Sequence, residues 1–289
     1  MKKSKKKIFT TIIIVLVLAA VTAAAALYMS GAVNPGWHEI RTGFHYYIDQ
    51  NGKPASGYVQ VDGEPYYFGR FGIPSEKGWI TEPGSDEAEF YCEGNGRLMT
   101  GWHYMKGKAR YFYQEQDCTD DRRIGEVARD FTTAGGIYID SKGYLDGEEG
   151  EAVGYGIDVL NRYGWDLESA YKYSAALRYA DGRSDDYGLT IHSCGWHGFK
   201  YGEGNCLAWA GTFCVMAKLL GYDCRMIWGT LEFRGEEVTH SWNEIWEKDG
   251  PHIYDPRRNG GQDMGGFDKK YGEKDTYKYN LDNITYLDW

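Results

Sequence analysis

Glycine–aromatic pairs recur along the first half of the chain, and this period constrains its folding more than any other feature. Gly36-Trp37, Gly57-Tyr58, Gly78-Trp79 and Gly101-Trp102 place their glycines 21, 21 and 23 residues apart. An aromatic pair follows each first aromatic by 8 to 11 residues: Tyr46-Tyr47, Tyr66-Tyr67, Phe90-Tyr91 and Tyr111-Phe112. Asn51-Gly52 and Asn95-Gly96 are hairpin turn dipeptides, so each unit reads as a short β-hairpin. A hairpin of this size cannot bury an aromatic face alone and must stack on its neighbours, which predicts a β-solenoid over residues 36–147. GGIYIDSKGYLDG at 135–147 reads as a degraded fifth unit, with 122–130 as an insertion.

Ahead of the repeats stands a basic run, MKKSKKK, followed by twenty-two uncharged, mostly apolar residues, 8–29. That length spans a bilayer core, and the lysines stay on the cytoplasmic side. Residues 1–30 therefore read as a signal peptide or signal anchor, with Ala23 to Ala26 offering small residues for cleavage and everything after them outside the cell. The net charge of the chain is −10. Removing the five lysines of the first thirty residues leaves −15, a balance that disfavours nucleic acid as a partner. Six cysteines, Cys92, Cys118, Cys194, Cys206, Cys214 and Cys224, show no regular spacing, so no disulfide connectivity is readable.

After Gly147 helical period replaces hairpins, with helices expected over 152–163 and 167–180 and Gly182 as a stop. A domain boundary is expected near 146–150, which leaves 150–289 as a second domain. Its central stretch is GEGNCLAWAGTFCVMAKLLGYDCRMIWG. Asn205 is a good N-cap and Gly221 a good C-terminal stop, and the residues between are apolar nearly all round, which implies a buried helix. Cys206 falls in its first turn, where the helix dipole and unpaired N–H groups favour a thiolate. Cys214 reads as an ordinary core cysteine. Thirty-four residues beyond Cys206, VTHSWNE reads as a strand carrying His240, and HIYDP places Asp255 at the end of another. A cysteine nucleophile, a histidine base and an aspartate that fixes the tautomer complete a triad.

The two halves resemble two families. Gly-Trp, a polar stretch, an aromatic pair and the ending Leu98-Met99-Thr100-Gly101 are similar to the cell-wall-binding repeats of Gram-positive surface proteins, of the choline- and glucan-binding type. In choline-binding members, adjacent hairpins form an aromatic cage for a quaternary ammonium. The candidate wall-ligand residues on that resemblance are Trp37, Tyr46, Tyr47, Tyr58, Tyr66, Tyr67, Trp79, Trp102 and Tyr111. Tyr58 stands where the pattern has Trp, and the third unit has an insert containing Pro83, so some cages at most are intact. The GxC helix start, the HxW strand and the aromatic residue before Asp255-Pro256 resemble the transglutaminase-like family of the papain-like superfamily, over residues 202–257. This implies an α+β fold with the helix of the nucleophile packed on an antiparallel sheet, and it assigns Cys206, His240 and Asp255 as nucleophile, base and orienting acid. Two departures stand out: His252 where the family often has Trp, and 34 residues beyond Asp255.

The chemistry implied is attack of the Cys206 thiolate on an amide carbonyl, with the backbone N–H of Cys206 holding the oxyanion and Trp196 as a candidate second donor. Water on the thioester gives hydrolysis, as in a protease or deamidase, and an amine gives a crosslink; hydrolysis is the favoured expectation. The expected partners are a cell-wall polymer or glycan and a peptide or protein substrate, with no cofactor and no metal. The place is extracellular, membrane-anchored or wall-associated, in a Gram-positive type of bacterium. Three alternatives stand beside this reading. His192, Cys194, His197 and Cys206 can be drawn as a zinc site, although the spacing fits no common ligand pattern. Gly204-Asn205-Cys206 also resembles the start of a peptidoglycan amidase or endopeptidase of the CHAP type. The last alternative is a non-enzymatic cell-surface adhesin.

Overall fold

A computed structural model describes residues 34–41, 43–118, 123–180, 188–256 and 266–289. The expected signal or anchor segment lies outside the described residues, as does Gly182. Among the described residues no helix is long and apolar enough to cross a membrane. The chain divides into two compact units, at Met99 and Thr100.

The first unit is made of hairpins. Strands β1 (Gly36–Ile40) and β2 (Phe44–Ile48) pair antiparallel. Strands β3 (Gly57–Val61), β4 (Glu64–Phe68), β5 (Gly78–Ile80), β6 (Phe90–Gly94) and β7 (Arg97–Leu98) form one sheet in the order β3-β4-β7-β6-β5. Asp62-Gly63 and Asn95-Gly96 have positive φ at both residues, the geometry of the two-residue turns that match strand twist. Asn51-Gly52 behaves differently from its sequence reading. It lies between hairpins, where Asp49 O accepts from Gly52 N at 3.0 Å and Tyr47 O accepts from Ala55 N at 3.0 Å. Gly72 then passes so close to the Tyr47 backbone that a Cβ there would collide with it.

The second unit begins with the fourth hairpin, β8 (Gly101–Met105) and β9 (Lys108–Phe112), and a smaller pair, β10 (Phe131–Thr132) and β11 (Tyr138–Ile139). These belong to the core that also holds the helices: Trp102, Ala109, Tyr111, Ile137, Ile139 and Leu145 are buried with Val153, Phe213 and Val215. The composition changes at 146–150, but packing joins the fourth hairpin to the helical part of the chain. Helix α1 (Gly147–Tyr163) starts earlier than its apolar period suggests, and Ala109 exchanges backbone hydrogen bonds with Leu145 just ahead of it. Helix α2 (Leu167–Ala175), capped by Asp166 accepting from Ser169 N at 2.8 Å, stops short of 180. It stops because β12 (Arg178–Tyr179) turns away to pair with β13 (Glu203–Gly204).

Helix α3 (Ile191–Tyr201) carries no helical expectation from the sequence; Thr190 and Ser193 form a capping box at its start. Helix α4 (Cys206–Leu219) is the expected buried one. Asn205 caps it, accepting from Leu207 N at 3.0 Å, and every residue from Leu207 to Leu219 is buried. It lies on a four-stranded antiparallel sheet of β14 (Cys224–Phe233), β15 (Glu236–Glu247), β16 (Gly250–Tyr254) and β17 (Lys278–Leu287), in the order β16-β15-β14-β17. Alternation splits the strands between two faces. Met226 and Ile245 join the helical core, while Ile227, Trp242 and Ile253 form a separate cluster with Tyr271, Tyr279 and Ile284.

Helices α3 and α4 cross at glycines. A Cβ on Gly211 would stand 2.6 Å from both Cys194 Cβ and Gly195 N. Gly211→Ala is therefore expected to force the helices apart and lower stability by about 1–3 kcal/mol, read as a lower denaturant midpoint with unchanged slope.

Candidate active site

The start of α4, the middle of β15 and the end of β16 converge on one place. Cys206 is the first residue of α4 and is partly exposed. His240 on β15 and Asp255, just past β16, are each only 2% exposed. Asp255 Oδ2 lies 2.8 Å from His240 Nε2, which leaves Nδ1 as the ring nitrogen for the nearby thiol of Cys206. Burial opposes charge on this ring. The charge and hydrogen bond of Asp255, with a smaller contribution from nearby Cys206, outweigh that penalty and lift the imidazole pKa to about 9.

The surroundings hold Asp255 on several sides. Its backbone N–H donates to Gly266 O at 2.7 Å, its carbonyl accepts from Tyr171 on α2 at 2.8 Å, and its Oδ2 accepts from Tyr279 on β17 at 2.9 Å. The carbonyl of the preceding Tyr254 accepts from Asn243 Nδ2 at 3.2 Å. The Trp242 ring lies nearly parallel to the His240 ring, 6.3 Å away. Tyr171 and Tyr279 had no signal in a sequence read for triads, because each reaches Asp255 from a distant element.

The other cysteines sit in different settings. All six are free thiols. Burial, with a smaller contribution from Cys206, pushes the Cys194 thiol up to about 12, and burial also raises Cys224. Cys214 donates to Cys224 O. Trp196 offers no spare indole donor, since its N–H is given to Glu151 on α1 at 2.7 Å. The residues of the zinc alternative are not among the ligand sets gathered by the described residues: His192 faces Trp289, His197 faces Tyr201, and Cys194 packs at Gly211. Among the described residues, one set of possible metal ligands clusters, Glu247, Asp249 and His252. Lys270 is ion-paired with Asp249 there, and His252 also contacts Asp268.

The candidate wall-ligand residues divide by burial. In the first unit Trp37 is 40% exposed and meets Tyr47 at 5.3 Å and Tyr66 at 5.6 Å between ring centroids. Trp79, also exposed, meets Tyr91 at 5.1 Å. Tyr46 stacks on His38, and Tyr58 and Tyr67 pack on Phe90. In the second unit Trp102 and Tyr111 are 6% and 5% exposed and belong to the core, because the fourth hairpin turns its aromatic face toward the helices.

The family described as the transglutaminase-like superfamily matches residues 166–256. Choline binding protein F of Streptococcus pneumoniae, solved in the presence of a peptidoglycan analogue, is 27% identical over 39% of this chain and 33% of its own, with a TM-score of 0.28. CbpJ from Streptococcus pneumoniae TIGR4 is 23% identical over 38% of this chain and 35% of its own, with a TM-score of 0.29. The chain thus spans about a third of the length of these two structures. No curated protein matches it. By its family match, the segment that carries Cys206, His240 and Asp255 is transglutaminase-like.

Proposed function

We propose that this protein is a cysteine-dependent acyl-transfer enzyme that works on peptide or amide bonds through a thioester, with hydrolysis favoured over crosslinking. The observation that carries the reading is the buried His240, held at 2.8 Å by Asp255 and close to Cys206 at a helix start. The family match over 166–256 supports the same class of chemistry. In the first half-reaction the Cys206 sulfur bonds to the carbonyl carbon, and the backbone N–H at the start of α4 holds the oxyanion. Collapse breaks the C–N bond as the His240 imidazolium gives its proton to the leaving amine. In the second half-reaction neutral His240 takes a proton from water, which attacks the thioester and releases the acid and the thiol.

The hairpins of the first unit are proposed as a wall-binding β-solenoid that keeps this enzyme at a Gram-positive cell surface, with a wall polymer or glycan as the ligand. The exposed Trp37, together with Tyr47 and Tyr66 of this hairpin and the next, supports that part of the reading. Trp102 and Tyr111 are left out of it, since they are core.

Residues that act as one unit lose activity non-additively. Cys206→Ala and His240→Ala are each expected to remove nearly as much turnover as the double change. The measurement is peptide release from walls or wall proteins, followed by mass spectrometry. Full activity in Cys206→Ala rules out the thioester route.

The pH dependence has a definite sign. His240 has a raised pKa, so its charged form is complete well below about 9 and is lost as pH rises through that value. The alkaline limb of kcat/KM is expected near pH 9 and, in Asp255→Asn, at lower pH, because the negative charge that supports the imidazolium is gone. By linkage, the stability contributed by this group is fully present below about 6.5, the ordinary value, and falls as pH rises toward 9.

Trp37→Ala together with Tyr66→Ala in the full chain is expected to weaken sedimentation with isolated cell walls, while alkylation of Cys206 by a thiol reagent proceeds at its original rate. Unchanged sedimentation contradicts the wall-binding role of that aromatic group.

A further inference from the structure

The segment beyond Asp255 lies outside the residues matched by the family, yet it reaches the site. Strand β17 pairs antiparallel with β14, with Tyr279 opposite Leu231 and Asn280 opposite Thr230. This register sets the Tyr279 ring 4.8 Å from Trp242 and 5.6 Å from Tyr271, between centroids. Its hydroxyl then donates to Asp255 Oδ2 at 2.9 Å. That oxygen is the one that faces His240 Nε2 at 2.8 Å, so a single carboxylate oxygen serves two donors.

We propose that Tyr279 is a positioning residue of the Cys206 site, its hydroxyl sharing the Asp255 oxygen that faces His240 and so setting how strongly the carboxylate holds the imidazolium. The inference rests on the thioester reading above. A hydrogen bond to a carboxylate oxygen withdraws electron density from it and lowers its proton affinity. With Tyr279 in place, Oδ2 is a weaker partner for the imidazolium than it would be with His240 alone, and the proton on His240 is easier to give to a leaving amine. Without the hydroxyl, Asp255 remains held through its backbone by Tyr171 and Gly266, and Oδ2 turns its full acceptor strength on His240. Among titratable groups, Cys206 from α4 faces His240, Tyr171 from α2 and Tyr279 from β17 face Asp255, and Tyr271 and Tyr277 face Tyr279.

The test needs no substrate. In the full chain, the rate of Cys206 alkylation by iodoacetamide is measured against pH, with the site resolved by mass spectrometry, for the native sequence, Tyr279→Phe, Asp255→Asn and His240→Ala. The native protein should show a step on the alkaline side, where His240 loses its proton, and His240→Ala should lack it. Tyr279→Phe keeps the ring on Trp242 and should move the step upward by roughly 0.5–1 pH unit, while Asp255→Asn moves it downward. A tyrosine that only packs would leave the step in place, so superimposed native and Tyr279→Phe profiles overturn the proposal. Uniform 3-fluorotyrosine, which strengthens the phenol as a donor and removes no contact, should move the native step downward; a step that stays put also overturns it. If another cysteine labels fastest, or the step persists in His240→Ala, the thioester reading itself has failed and this inference goes with it. A step lost in His240→Ala but unmoved in Tyr279→Phe rejects only the role of Tyr279.

Discussion

A charged pair taken out of water has to be held by something other than solvent, and the second unit is arranged around that requirement. His240 and Asp255 are both almost fully buried. Removing one partner of such a pair leaves an uncompensated charge, at a cost of about 3–5 kcal/mol. The pair persists because four elements meet it with donors and acceptors: β15 supplies the imidazole, the end of β16 the carboxylate, α2 a tyrosine to the Asp255 carbonyl, and β17 a tyrosine to its side chain. The buried helix α4 then brings Cys206 to the remaining face of the ring. Sheet register and helix packing thereby become conditions of the proposed chemistry, since a one-residue slip of β15 would turn His240 to the opposite face of the sheet.

Among six thiols, surroundings rather than residue type distinguish Cys206. Cys194 and Cys224 lie in dry packing that penalises a thiolate, and their pKa values rise accordingly. Cys214 is two turns along the same helix as Cys206, fully buried, and gives its S–H to a backbone carbonyl. Cys206 alone combines a helix start, partial exposure and a histidine held in a charged pair. Each of these separately is weak: a cysteine at a helix start is usually packing, and a buried histidine is usually structural. Their coincidence gives the nucleophile reading its force.

Much of this was legible in the residues themselves. Asn205 and Gly221 marked both ends of α4 because caps are local chemistry, and the segments VTHSWNE and HIYDP read as the strand of His240 and the strand that ends at Asp255. What escaped was set by contacts distant in the chain. Helix α2 ended early because residues 178–179 pair with 203–204, a partner that propensity does not see. The fourth hairpin carries the same repeat signature as the first three, yet its Trp102 and Tyr111 are core, since Ala109 pairs with Leu145 and a Cβ on Gly154 would meet the Tyr104 ring. Asn51-Gly52 has the composition of a hairpin tip but turns the chain between hairpins, because Asp49, Asn51 and Lys53 form a local side-chain-capped turn there. Tyr279 stands in a tyrosine-rich tail with no period to single it out, and only its register against β14 discloses its partner.

That tail is tied to the sheet by a second buried carboxylate. Glu244, two residues beyond Trp242 on β15, is 3% exposed. It accepts from the Tyr271 hydroxyl, from Tyr286 at 3.2 Å and from Trp246 Nε1 at 3.3 Å, while Trp242 Nε1 donates to Tyr271 at 2.8 Å. Neutral donors, two of them from the C-terminal segment, therefore satisfy a carboxyl group that would otherwise be costly to bury. The same segment sends Tyr279 to Asp255, so two carboxylates on neighbouring strands draw on one stretch of chain for their hydrogen bonds. Loss of that stretch would strip both at once, which makes residues 271–286 part of the packing that holds this sheet rather than an appendage to it.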